Sequence, residues 1–243
     1  MAEDGVVLWD FDGTLAWRPG LWSGCVLEVL DEHVPAHEGT LERVRAELAG
    51  RFPWHRHHVP HPELCDAERW WEALTPQLAR AVAACGVERS SIPALVREVR
   101  VRFVDGTRGW QVFADARPAL ARTGAAGWRN VILSNHVPEL EQLVRQLGLD
   151  ALVERVFSSA CTGYEKPHPL AFRHALHACG DPPRRWMVGD NPVADHAGAQ
   201  ALGIPAILVR GAPSVDDAAA AQRERSSLRW VPDAAAAVAV ILD

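Results

Sequence analysis

Val6-Val7-Leu8-Trp9 runs without a break into Asp10-Phe11-Asp12-Gly13-Thr14-Leu15. Four consecutive apolar residues that end at acidic and small ones read as a strand buried on both faces. That is the pattern of a parallel sheet, not the alternation of a half-exposed one. Two carboxylates two positions apart point to the same side of an extended backbone, and Gly13 then permits a tight turn. Taken alone, Asp-x-Asp-Gly also fits an ordinary turn. A calcium loop is excluded, because its fifth position would be Thr14 and its twelfth Leu21 instead of Glu.

Four further runs of this kind lie downstream. Val131-Ile132-Leu133 ends at Ser134-Asn135, Val156-Phe157 at Ser158-Ser159, Trp186-Met187-Val188 at Gly189-Asp190, and Ala206-Ile207-Leu208-Val209 at Arg210-Gly211. Between and after them stand helical patterns: Pro138 to Leu147 with Gly148 as its stop, His168 to Cys179 before Gly180, Val193 to Leu202 before Gly203, and Asp233 to Leu242 with Asp233 as N-cap. This alternation predicts an α/β fold, a doubly wound parallel sheet with right-handed crossovers. Ligands of such sheets bind at the carboxyl ends of the strands, where Asp10, Ser134 and Asp190 would stand.

Residues 17–110 differ. They read as helices over Leu21 to Asp31, Thr40 to Ala49, Ala67 to Cys85 and Ile92 to Arg102, with Arg51 to Pro62 as a loop and no strand pattern. The expected organisation is therefore a core of 1–16 and 111–243, with an all-helical unit inserted at 17–110 directly after the first strand. The Ala-rich patches at Ala218 to Ala221 and Ala234 to Ala237 read as helix formers, and Asp216-Asp217 with Arg223 to Arg225 as a solvated helix face.

Composition narrows the function. Of 243 residues, 48% are hydrophobic, enough for a real core, so disorder is excluded as a description of the whole. A net charge of −6 argues against nucleic acid or an anionic membrane as partner, since both reward a basic field. No apolar run reaches the ~20 residues of a membrane span, and Met1-Ala-Glu-Asp does not open like a secretory leader. Five scattered cysteines without a CxxC pair read as reduced thiols, which predicts a cytoplasmic protein. Of the 25 basic residues, 24 are arginine and one, Lys166, is lysine.

Asp10-Phe11-Asp12-Gly13-Thr14-Leu15, Leu133-Ser134-Asn135, Lys166-Pro167 and Gly189-Asp190-Asn191-Pro192-Val193-Ala194-Asp195 occur in this order. Together they resemble the four signature motifs of the haloacid dehalogenase-like hydrolase superfamily, and the resemblance covers the whole core. The helical insertion resembles the family's helical cap, the C1 type, over a Rossmann-like core. The resemblance implies that Asp10 is a nucleophile forming an aspartyl-phosphate. It implies that Asp12 is general acid to the leaving oxygen and then general base to water. Ser134 would hydrogen-bond a phosphoryl oxygen, and Lys166 would offset the charge of Asp10 and the phosphoryl group. Asp190, with Asp10 and the backbone carbonyl of Asp12, would hold Mg²⁺, supported from behind by Asp195. Asn135 and His136, next to Ser134, are candidate substrate contacts.

The chemistry of these residue types agrees. A carboxylate approaching a phosphate is repelled, by about 4 kcal/mol for each unit pair at 4 Å and an effective dielectric near 20. A divalent cation between them reverses that sign, and hard oxygen ligands favour Mg²⁺ over zinc. A compact ammonium fits between carboxylates and a phosphoryl oxygen as a point charge, where a planar guanidinium would be displaced.

Asp12 also separates branches of the family: halide-releasing members lack the second acid because halide leaves without a proton. A Schiff-base branch needs a lysine in the cap, and residues 17–110 contain none. The expected function is thus a Mg²⁺-dependent phosphatase for a small phosphorylated metabolite. A β-phosphoglucomutase-like phosphomutase is the alternative, and a non-hydrolytic phospho-acceptor module a more distant one. Monomer and homodimer both fit. His55, His57, His58 and His61 crowd one Pro-rich stretch in an irregular pattern with no Cys at ligand spacing; they read as a solvated or entrance-lining loop, with a metal site as the lesser alternative. Trp17, Arg18 and Trp22 suit either contact with the leaving group or packing of the hinge. Trp70-Trp71 reads as cap core, and Glu165 as a surface loop residue.

Overall fold

In the computed structural model, which describes residues 5–210 and 228–243, the first strand, β1 (Gly5–Trp9), is buried at all five positions. After the Asp10–Leu15 turn, β2 (Ala16–Trp17) leads into α1 (Leu21–His33), α2 (Leu41–Leu48), α3 (Ala67–Ala83) and α4 (Ile92–Phe103), with single 3₁₀ turns at Pro53–Arg56 and Pro62–Leu64. β3 (Gln111–Val112) then runs antiparallel to β2. Strands and helices alternate from there: α5 (Ala116–Ala125), β4 (Trp128–Ser134), α6 (Leu140–Gln146), β5 (Arg155–Ser158), α7 (Ser159–Thr162), α8 (Pro169–Ala178), β6 (Arg184–Gly189), α9 (Gly198–Gln200), β7 (Ala206–Val209), β8 (Trp230–Val231) and α10 (Ala234–Leu242).

Among the described residues, six parallel strands pair in the order β5-β4-β1-β6-β7-β8. β1 is central, and the chain leaves it in opposite directions toward β4 and β6, so a crevice opens at their carboxyl ends. Trp9 lies level with Ile132 of β4 and Val188 of β6, which brings the residues just beyond all three strands to one edge. Alternate residues of β1 serve two layers. Val6 and Leu8 pack with Phe172, Ala175 and Leu176 of α8. Val7 and Trp9 face the other side, in a core continuous with the helices of 21–103.

That helical segment has its own apolar centre. Thr40 and Asp66 cap α2 and α3 by accepting hydrogen bonds from Arg43 N and Arg69 N. Trp70 and Trp71 are buried, as expected of cap core. Trp22 stacks on Phe103 at 3.8 Å between centroids and meets Phe52 at 4.9 Å. Asp233 caps the closing helix through Ala236 N, also as expected.

The structure departs from the sequence expectation in three places. First, 17–110 is not free of strand: Trp17 belongs to β2, which with β3 forms a short ribbon where the chain leaves and re-enters the sheet region. Two-residue strands carry too little periodicity to register. Second, β4 starts at Trp128, and α5 and β8 had no counterpart in the pattern. Third, Val193–Leu202 is not one regular helix. Pro192–Ala197 forms a π turn before α9. Asn191 Oδ1 accepts from both Val193 N and Ala194 N, and the Asn191 carbonyl from Asp195 N and His196 N, which widens the turn. The solvated face expected over Asp216-Asp217 and Arg223 to Arg225, and the helix expected at Ala218 to Ala221, lie outside the described residues.

Candidate active site

The site begins where β1 ends. Asp10 N donates to Val188 O at 2.9 Å, extending the ladder by one residue before Phe11–Leu15 turns away. Ser134 closes β4, Asp190 follows β6, and Lys166 arrives on the loop after α7. Lys166 Nζ lies 2.8 Å from Asp10 Oδ1 and 2.5 Å from Asp195 Oδ1. The other oxygen of Asp195 accepts from Asn191 N at 3.0 Å, so the π turn fixes this carboxylate inward. One carboxylate oxygen each of Asp10, Asp190 and Asp195 lies within 4.8 Å of the others. Two glycines make room for these acids. A Cβ on Gly13, whose φ is +73°, would come within 2.2 Å of Asp190 Oδ2, and one on Gly189 within 2.1 Å of Asp195 Oδ2.

Electrostatics follow from this crowding. Burial works against the charge on Lys166, but Asp10 and then Asp195 outweigh it and hold the ammonium above its ordinary value. Burial, then the charges of Asp10 and Asp195, push Asp190 up to about 8. Asp195 is raised to about 6, by burial first, with Lys166 pulling the other way. Asp12 is held well above the carboxylate range, first by withdrawal from bulk water and then by the Asp10 and Asp190 charges. Four carboxylates thus crowd around one ammonium, and Asp12 Oδ1 is buried without a hydrogen-bond partner. An all-oxygen donor set with this excess of negative charge fits a hard divalent cation, held by Asp10 and Asp190 with Asp195 beside them. Among the described residues it is the cluster of metal-ligating side chains the chain offers.

A cavity of about 650 Å³ stands over the cluster. Asp10, Asp12, Ser134, Asn135, Lys166 and Asp190 line its floor; Trp22, Arg45, Leu48, Phe52, Trp54 and His55 line the side contributed by the helical segment. Each motif residue is therefore brought to one place, with two refinements. Asn135 clamps the Lys166 peptide, accepting from Lys166 N at 2.7 Å and donating to Lys166 O at 2.8 Å, so its amide is occupied in orienting the lysine loop. His136 does not line the cavity. Its ring packs among Phe11, Phe103 and Trp110, with Nε2 3.7 Å from Asp12 Oδ1, and burial lowers it to about 3.

Two expectations are corrected. Glu165 is not a surface residue but 1% exposed, and His61 is not solvated but 6% exposed. Glu165 Oε1 and His61 Nε2 lie 2.9 Å apart, and His61 N donates to Gly163 O, tying the helical segment's loop to the strand-end loop beside Lys166. Such a pair, 104 residues apart, leaves no mark in local sequence. Nor do Arg45, Phe52 and Trp54, which read as helix surface and loop until the fold turns them onto the cavity.

The model of the haloacid dehalogenase-like hydrolases matches residues 5–203. The chain is 29% identical over 189 residues to mouse (Mus musculus) haloacid dehalogenase-like hydrolase domain-containing protein 3, covering 75% of this chain and 74% of that one. It is 32% identical over 247 residues to the phosphoserine phosphatase of Thermus thermophilus, covering 93% and 97%. A solved dehalogenase superposes with a TM-score of 0.70 at 18% identity, over 100% of this chain and 99% of that one, a likeness of fold.

Proposed function

The chain belongs to the haloacid dehalogenase-like hydrolases, and from that premise we propose that it is a Mg²⁺-dependent phosphatase. Its substrate is a small phosphorylated metabolite, and its helical segment 17–110 acts as a cap over the core formed by 1–16 and 111–243. Asp10 attacks phosphorus in line with the leaving oxygen. The P–O bond to the organic group breaks, Asp12 gives that oxygen its proton, and an aspartyl-phosphate remains. Asp12, now a carboxylate, takes a proton from water as its oxygen attacks phosphorus, releasing phosphate and regenerating Asp10. Lys166 and Ser134 hold the phosphoryl oxygens and spread their charge. Asn135 fixes the lysine loop, and Asp195 keeps the ammonium aimed at Asp10. A divalent cation, which Asp10 and Asp190 would hold, would supply charge neutralisation for the approach of a carboxylate to a phosphate.

The observation that carries this reading is Asp12, a second carboxyl group at the cavity floor beside Asp10: its burial raises it above its ordinary range and so favours the protonated form a general acid needs. An oxygen leaving group requires that proton, whereas a halide does not. The name of the Thermus relative supports the same class. The free cysteines support a cytoplasmic setting. A phosphomutase of the β-phosphoglucomutase type shares this floor, and differs in returning the phosphoryl group to the substrate.

The test is phosphate release from p-nitrophenyl phosphate with Mg²⁺. Asp10→Asn abolishes turnover, Asp12→Asn lowers it by about 10²–10⁴-fold, and excess EDTA stops it. Full activity in either variant or in EDTA contradicts the mechanism, and rearrangement of a sugar phosphate without release of phosphate assigns the mutase instead.

A further inference from the structure

The cavity's two walls differ in chemistry. Among the described residues, its side-chain carboxylates and amides (Asp10, Asp12, Asn135, Asp190 and Asn191) sit at the phosphoryl end. The opposite wall offers Trp22, Leu48, Phe52 and Trp54, with Ser23 and Arg18 beside them and Arg45 and His55 at its rim; the Arg18 guanidinium is engaged by Glu28 and the Arg108 carbonyl. Phe52, itself buried, stacks on Trp54 with centroids 4.5 Å apart at an angle of 6°, so it holds the Trp54 ring flat from one side. Arg45 makes no side-chain hydrogen bond or ion pair among the described residues. His55 Nδ1 accepts from Phe52 N at 3.2 Å, which leaves Nε2 to donate.

A polyol needs acceptors for its hydroxyls, and an ammonium needs a counter-charge. Among the described residues this wall supplies neither from a carboxylate or an amide. It supplies ring faces, one hydroxyl on Ser23, and the donors of Arg45 and His55 in addition to the engaged Arg18. Accepting the phosphatase reading, on which this inference rests, we propose that the leaving group carries a planar aromatic ring. The ring lies against Trp54, which Phe52 backs, and carries an anionic or carbonyl acceptor that meets Arg45. This separates the chain's substrate from phosphoserine, the substrate that its Thermus relative's name implies. Both an aryl phosphate and a nucleoside monophosphate carry such a ring.

The test compares kcat/KM, with Mg²⁺, for phenyl phosphate, 4-carboxyphenyl phosphate, uridine 5′-monophosphate, glucose 6-phosphate and phosphoserine. Calorimetric binding of 4-hydroxybenzoate, a dephosphorylated product, is measured in parallel. At least one ring substrate is expected to exceed glucose 6-phosphate and phosphoserine by about tenfold or more. Trp54→Ala shrinks that ratio about 3- to 10-fold, mainly through KM. Arg45→Ala brings 4-carboxyphenyl phosphate down to the level of phenyl phosphate. Because each readout is a ratio between substrates on one preparation, a general loss of folded enzyme does not imitate it. If the nucleotide leads, the ring is a base; if the aryl phosphates lead, it is a simple arene. Phosphoserine or glucose 6-phosphate turned over at least as well as every ring substrate overturns the proposal, as do ratios that neither variant moves. If no compound releases phosphate, calorimetry decides: product binding weakened by both substitutions upholds the ring site and rejects the phosphatase reading, and absence of binding rejects the ring site.

Discussion

Lys166 Nζ has a carboxylate oxygen of Asp10 at 2.8 Å and one of Asp195 at 2.5 Å, with almost no solvent around it. A compact ammonium satisfies both in that space; a guanidinium needs a wider, planar berth and would push Asp10 off line. Lys166→Arg is therefore expected to lower kcat by at least about 10²-fold despite keeping the charge, measured on p-nitrophenyl phosphate; wild-type turnover would show that charge alone suffices. His136 illustrates burial without a partner. Its folded pKa is lowered to about 3, whereas the unfolded imidazole titrates near its ordinary 6.5. Between these values the unfolded chain binds the extra proton, so His136 costs stability progressively as pH falls below 6.5, at about 1.4 kcal/mol per pH unit. Its aromatic surroundings accept a ring, so His136→Phe should narrow the stability gap between about pH 7 and pH 5. Urea titrations at both values check this, and an equal or larger gap in the variant contradicts it.

At the scale of elements, strand ends were legible because each carries a continuous apolar run into a chemically distinct residue: Trp9 into Asp10, Leu133 into Ser134, Val188 into Gly189-Asp190. β2 and β3 were not, since two residues show no period, and the π turn was not, since its geometry arises from Asn191 accepting four backbone donors at once. Inside β4, Asn130 interrupts an apolar strand for a reason visible only in three dimensions. Its Oδ1 accepts from Trp9 Nε1 and Thr123 Oγ1, and its Nδ2 donates to Leu120 O and Leu152 O. This amide joins β1, α5 and a 3₁₀ turn at Asp150–Leu152 in a buried network. Asn130→Ala leaves those groups unsatisfied and should destabilise the fold by about 3 kcal/mol, seen as a lower urea midpoint with unchanged slope. A change below about 0.5 kcal/mol would mean that the network is inert.

At the scale of the whole molecule, the helical segment meets the sheet's carboxyl edge through several long-range bonds. His61 bonds Glu165, and Trp71 Nε1 donates to Glu139. The motif residues could be placed from sequence because a strand end predicts its own position in an α/β sheet. The opposite wall of the cavity could not, because how four amphipathic helices pack depends on side-chain shapes that no period encodes. The floor therefore speaks to reaction class and the wall to substrate. The proposed mechanism requires Asp10 to supply the oxygen that bonds to phosphorus. Acid quenching during turnover of a ³²P-labelled phosphomonoester, followed by peptide mapping, tests it most directly. The expected result is a hydroxylamine-labile acyl phosphate on Asp10 that is absent from Asp10→Asn. A fully active enzyme that never carries label, or carries it on another residue, would contradict the mechanism.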